Sequence, residues 1–206
     1  MKKFLFILSL FICILSNAQK IDTIIDAGIY KSYFSYEVKQ PIMVTYTLFQ
    51  GGGEVSRYGM NFINDTKIKM LTGKDYAKSG YDKGHMVPAE DFAYNEEKQE
   101  KTFRYYNCVA QSPELNRGPW KKYETKARKI SQLSTLLIIC YNVYGTDSAG
   151  TIRLAKECYK AVYEIKTIKK KKTFTLVFAV GFKNDSTAAE LIVSPTIMSK
   201  FKAVAK

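Results

Sequence analysis

Over residues 42–48 apolar side chains fall on alternate positions, Ile42, Val44, Tyr46 and Leu48, the period of a half-buried strand. Pro41 stands at its start, where a missing N–H is tolerated, and Gly51-Gly52-Gly53 follows as a flexible turn. Residues 136–141 are apolar without a break over strand length, which predicts a central buried strand. Two further alternating segments, Tyr159-Ala161-Tyr163-Ile165 and Phe174-Leu176-Phe178-Val180-Phe182, bracket the lysine run 169–172 and predict a hairpin with a solvated turn. Asn95 before Glu96 and Glu97, with Phe103 and Tyr106 on one face and Arg104 near the end, predicts a short capped helix. Pro119 suits the first turn of a second helix, in which Trp120, Tyr123, Ala127 and Ile130 form one apolar stripe. Lys121, Lys122, Lys126, Arg128 and Lys129 take the opposite face. The elements together predict an α+β architecture, an antiparallel sheet with helices packed on it.

The N-terminal segment has a different pattern. Lys2 and Lys3 precede an apolar run of 12 residues, 4–15, and Ser16-Asn17-Ala18 places small residues three and one positions before a cut. This is the form of a secretory signal over residues 1–18, and it is too short for the roughly 20 residues that cross a bilayer. The expected destination is the periplasm or the exterior, with a single domain over 19–206 and no stable membrane insertion. Cys13 leaves with the signal. Cys108, Cys140 and Cys158 remain, an odd number in an oxidising compartment, so a disulfide framework is excluded.

The chain of 206 residues carries 32 Lys plus Arg against 19 Asp plus Glu, a formal charge of +13. Removal of residues 1–18 would bring it to +11. A strongly basic secreted domain suits a polyanionic partner. Histidine occurs once, so any mechanism needing two imidazoles is excluded and a histidine-dependent enzyme must use His85. A serine hydrolase built on His85 with Asp82 or Asp91 lacks a Gly-x-Ser-x-Gly elbow. A Cys-His protease would need a reactive thiol, whereas the three cysteines lie in apolar, strand-like settings.

The surroundings of His85 are informative. In Asp82-Lys83-Gly84-His85, Gly84 permits tight backbone geometry beside the imidazole and Lys83 brings a cation for a phosphate. Some twenty residues on come Asn107 and then Leu115-Asn116-Arg117-Gly118-Pro119-Trp120, which leads into the helix carrying Glu124. Asn116 beside a helix start reads either as a turn residue or as an oxygen ligand for Mg²⁺, a hard ion that keeps most of its waters. Glu124, two helical turns later, lies on a similar face.

These motifs, in this order, resemble the DNA/RNA non-specific endonuclease family, whose mark is Asp-Arg-Gly-His, then an Asn and a Leu-Asn-x-Gly-x-Trp region, then a glutamate on the next helix. The resemblance spans about residues 41–164. It implies a ββα-metal nuclease fold, with a central antiparallel sheet and helices on its faces. It further implies His85 as general base, Asn116 as direct Mg²⁺ ligand and Glu124 acting on metal-bound water. Arg57, in Ser56-Arg57-Tyr58-Gly59, resembles the upstream phosphate-contacting arginine, and Lys83, Asn107 and Arg117 are the expected substrate-binding residues. Lys83 departs from the family's arginine: it keeps the charge but loses the two-point fork. The segment 144–151 is also shorter than in many relatives. The implied function is secreted, Mg²⁺-dependent hydrolysis of phosphodiester bonds in DNA and RNA, with Mn²⁺ or another hard divalent ion as a substitute. The substrate would be held by its phosphate backbone with little sequence preference. The alternative is a non-catalytic nucleic-acid or polyanion binding protein on the same fold.

Overall fold

The computed structural model describes residues 19–205; the expected signal segment 1–18 and Cys13 lie outside the described residues. Strands β1 (Thr23–Asp26), β2 (Tyr30–Ser35) and β3 (Gln40–Leu48) form an antiparallel meander at one side of a seven-stranded sheet. The chain then leaves the sheet through α1 (Gly73–Tyr76), β4 (Asp82–His85), α2 (Glu96–Lys101), β5 (Cys108–Gln111), the helical turn α3 (Pro113–Leu115) and α4 (Lys121–Ser131). It returns as β6 (Leu136–Ala149), which pairs directly with β3 from Met43–Tyr141 to Leu48–Leu136. Next come β7 (Ile152–Ile168), β8 (Lys171–Lys183), the two-residue edge strand β9 (Glu190–Leu191) and α5 (Pro195–Val204). The sheet order is β1-β2-β3-β6-β7-β8-β9, while β4 and β5 make a separate two-stranded ribbon. No helix among the described residues is long and apolar enough to cross a membrane.

The unbroken apolar run in β6 has a direct cause. Ile138 and Cys140 pack on one face with Trp120, Ala127, Met86 and Val87, whereas Ile139 and Tyr141 pack on the other with Ile197 and Phe201 of α5. Both faces are covered, so alternation is lost. Alternation in β8 misleads instead. Phe174 and Leu176 stand opposite Ile165 and Tyr163, then a bulge at Val177 shifts the register so that Phe178, Val180 and Phe182 stand opposite Val162, Lys160 and Cys158. The extra residue turns the second half of the strand to the opposite face, so Phe178, Val180 and Phe182 join one core and Phe174 the other, while Leu176 is left exposed. The lysine turn is tighter than predicted, with Lys169 and Lys170 both at positive φ.

The first predicted helix is shorter than its pattern suggested. Asn95 caps it by accepting from the Lys98 amide, but it ends at Lys101. Phe103, Arg104 and Tyr106 lie beyond it, around a 3-10 turn over Tyr105–Asn107. The second helix keeps its stripe, and Arg128 is the exception on its polar face: it folds inward onto Asp91. Cys108, Cys140 and Cys158 are buried and free, with burial pushing each thiol up to about 12.

Candidate active site

The β4–β5 ribbon sets the site's geometry. Its register pairs Asp82 with Gln111, Lys83 with Ala110, Gly84 with Val109 and His85 with Cys108. The two-residue period of a strand sends Lys83 and His85 to one side and Asp82 and Gly84 to the other. A side chain at Gly84 would overlap the buried Gln111 side chain, so glycine makes room for that side chain against the ribbon. Beyond the ribbon, Trp120 Nε1 donates to the His85 carbonyl at 3.3 Å, tying the strand end to the start of α4.

The His85 ring lies between Phe62, at 4.6 Å between centroids, and Phe103, at 4.8 Å and edge-on. Its Nε2 is sealed from solvent with no hydrogen-bond partner. Burial, with the Arg57 cation adding a smaller effect, pushes the imidazole down to about 3. The ring is therefore neutral across the physiological range, further below neutrality than the ordinary value near 6.5 implied.

Asp82 organises the other wall. It accepts from Asn116 Nδ2 at 3.0 Å and from Arg117 Nε and Nη2 at 2.8 and 2.7 Å. The Arg117 fork, with the Asn116 amide, holds the Asp82 carboxyl below its usual range. Because the Asn116 amide nitrogen is engaged this way, its carbonyl oxygen is the end left for a ligand. Asn116 starts the π turn Asn116–Trp120, in which Gly118 adopts φ −98° and ψ −113° and breaks the helical path before α4.

Arg57, Lys83, His85, Asn116, Arg117 and Glu124 all line one cleft of about 1050 Å³. Lys83 has no ion pair among the described residues and stands 5.9 and 5.7 Å from the Phe62 and Tyr105 ring centroids. Arg57 Nε approaches Glu90 Oε1 only to 4.0 Å, at the exposed rim. One expectation changes. Asn107 is buried outside the cleft: it donates to the Val87 and Thr102 carbonyls at 3.0 and 2.9 Å and accepts from the Val87 amide at 2.9 Å. All its polar capacity but one lone pair holds backbone, so it supports the segment after His85 rather than touching substrate. Arg117 reaches the cleft with its Nε and Nη2 engaged by Asp82.

Beneath Glu124 lies a group that sequence reasoning missed. Lys160 of β7 is 1% exposed, with Nζ 3.5 Å from Glu124 Oε1, itself 13% exposed, and 4.2 Å from the Trp120 ring centroid. Beside it Asp91, fully buried, accepts from Arg128 Nε and the Tyr46 hydroxyl, each at 2.8 Å. Burial raises the Glu124 carboxyl, and the Lys160 cation opposes that rise.

No group of three or more His, Cys, Asp or Glu side chains gathers among the described residues to cage a metal. Among the donors in the cleft, the Asn116 amide oxygen and the Glu124 carboxylate are hard oxygen ligands, a set that fits a divalent ion keeping most of its waters.

The family model described as DNA/RNA non-specific endonuclease matches residues 12–197. The mitochondrial nuclease EXOG of Danio rerio is 35% identical over 83 residues, covering 39% of this chain and 24% of that protein. A nuclease of Syncephalastrum racemosum is 36% identical over 124 residues, 58% of this chain and 39% of that protein. The matched stretches thus span well under half the length of these relatives. A crystal structure of the EndoG/EndoGI complex superimposes with a TM-score of 0.69 at 18% identity, over 88% of this chain and 84% of that one, a likeness of fold.

Proposed function

The chain belongs to the DNA/RNA non-specific endonuclease family, and from that premise we propose that it is a metal-dependent nuclease hydrolysing phosphodiester bonds in DNA and RNA. The observation that carries this reading is the gathering, in one cleft, of the His85 imidazole, an oriented amide oxygen and the cations of Lys83 and Arg57. His85 accepts the proton of the attacking water at Nδ1, the ring nitrogen that is not sealed, and burial keeps the ring neutral for that role. Lys83 and Arg57 supply positive charge where the phosphoryl oxygens gain negative charge. Asn116 and Glu124 would hold a hard divalent ion, Mg²⁺ first; such an ion supplies Lewis-acid charge and an acidic water for the leaving oxygen. Asp82 and Arg117 keep Asn116 oriented. Side chains of this kind address phosphate and sugar, so cleavage is insensitive to base sequence, and the +11 charge left once residues 1–18 are removed provides affinity that weakens with salt.

The segment 1–18 exports the chain, so protein recovered outside the cytoplasm begins at Gln19. Plasmid nicking with Mg²⁺ and with EDTA tests the activity. Cutting that stops in EDTA supports a metal-dependent nuclease; binding without cutting under any divalent ion replaces it with a polyanion-binding protein.

The orientation of Asn116 is separately testable. Asp82→Asn removes the carboxylate that accepts from Asn116 and Arg117, and should raise the Mg²⁺ concentration for half-maximal cleavage about 10–100-fold. An unchanged Mg²⁺ requirement would show that Asp82 does not hold the ligand in place.

A further inference from the structure

The outer face of α4 continues the cleft. Lys121 and Thr125 line both the cleft and a second groove of about 780 Å³. Lys122, Lys126 and Lys129 rim that groove, while Tyr123 and Ile130 form its floor. Phe178 of β8 extends the floor, its ring 5.4 Å from Tyr123, and Lys126 Nζ stands 4.9 Å from the Phe178 centroid. No carboxylate lines the groove, and none of these lysines has an ion pair among the described residues. A helix face kept only for solubility would mix both signs of charge. Here cations ring an apolar, partly aromatic floor, the combination that holds a single nucleic-acid strand, with phosphates on lysine and bases on rings.

We propose that this groove is the track by which a nucleic-acid strand runs on from the cleft, so that α4 serves the site with Glu124 on one face and the strand with its lysines on the other. The inference rests on the nuclease reading for its substrate, and the groove fixes where the strand goes and which residues measure its length.

The test compares wild-type protein with Lys122→Gln/Lys126→Gln/Lys129→Gln. Binding of a labelled single strand of roughly 30 nucleotides is measured in EDTA across a salt series, beside cleavage in Mg²⁺ of that strand and of one of roughly 4 nucleotides, near the smallest single-site lengths. The variant should bind the long strand about tenfold more weakly. Its slope of log K against log salt should flatten by about 2, at roughly 0.7 per lost phosphate contact. Cleavage of the short strand should change less than about twofold, a difference that chain length alone explains. Equal binding and an equal salt slope in the two proteins would overturn the groove while leaving the cleft's role intact. Wild-type protein that binds in EDTA but cuts neither strand overturns the nuclease reading, and the binding arm still decides the groove. Tyr123→Ser, which removes a ring from the floor and no charge, should weaken long-strand binding without changing the slope; an unchanged affinity there would overturn the apolar half of the proposal.

Discussion

Substitution of His85 by alanine should lower the cleavage rate by about 10²–10⁴-fold, the ordinary contribution of a positioned base. The chain holds no other histidine to take over the proton. The environment of the ring adds a second signature. Because burial pushes the imidazole down to about 3, the wild-type rate should show no inflection near 6.5, where a solvated histidine would titrate. A rate that falls with a midpoint near 6.5 and loses that midpoint in His85→Ala would refute the sealed environment; a variant that cuts at the wild-type rate would refute the general base. The same burial enters stability. The folded-state value lies below the unfolded one, so the folded chain resists a proton that the unfolded chain accepts. The associated stability is complete above about 6.5 and is lost progressively as pH falls from there toward 3. His85→Ala should melt with a weaker dependence on pH across that window, measured by thermal denaturation in matched buffers.

Lys160→Met should have the largest effect on folding, about 3–5 kcal/mol, because it leaves Glu124 buried without its counter-charge. Removing Lys160 also withdraws the influence that opposes burial at Glu124, so the carboxyl rises further. The pH profile of cleavage should therefore shift its acidic limb upward. Lys160→Met/Glu124→Gln removes both charges and should recover much of the stability but not the activity, a separation that urea unfolding and nicking assays read directly. Full stability in Lys160→Met would mean that the pair contributes little beneath the cleft.

What the sequence revealed follows from how locally each feature is encoded. Asp82-Lys83-Gly84-His85 could be read directly because one ribbon strand presents the whole group, and Asn116 because Leu115 to Trp120 form one local turn, whereas the bond that joins them spans 34 positions. The run 136–141 and the stripe from Trp120 to Ile130 were legible for the same reason, since burial imposes period. Lys160 was not. In an alternating strand a lysine between Tyr159 and Ala161 occupies the position that reads as solvent, and only the packing of Trp120 over that face makes it interior. Arg128 was misplaced likewise, because its partner Asp91 comes from a distant 3-10 turn. Asn107 was read as facing substrate because motif position does not say which way a side chain points, and its three bonds point it into the protein. The bulge at Val177 has no signature in hydrophobicity at all, since the even-numbered apolar residues run straight through it.

The direct ladder between β3 and β6 gives the molecule a particular tolerance to being cut. Every side chain of the cleft, from Arg57 to Arg128, belongs to the single excursion between those two strands, and the buried Lys160 follows soon after. The exposed turn at Lys169 and Lys170 comes later still. A trypsin-like protease severing that turn would leave all the site's residues on one fragment, with β8 held to β7 by their paired backbone. The stretch from His85 to Asn116 has no such margin, because a break there divides the proposed base from the residues that would hold the metal.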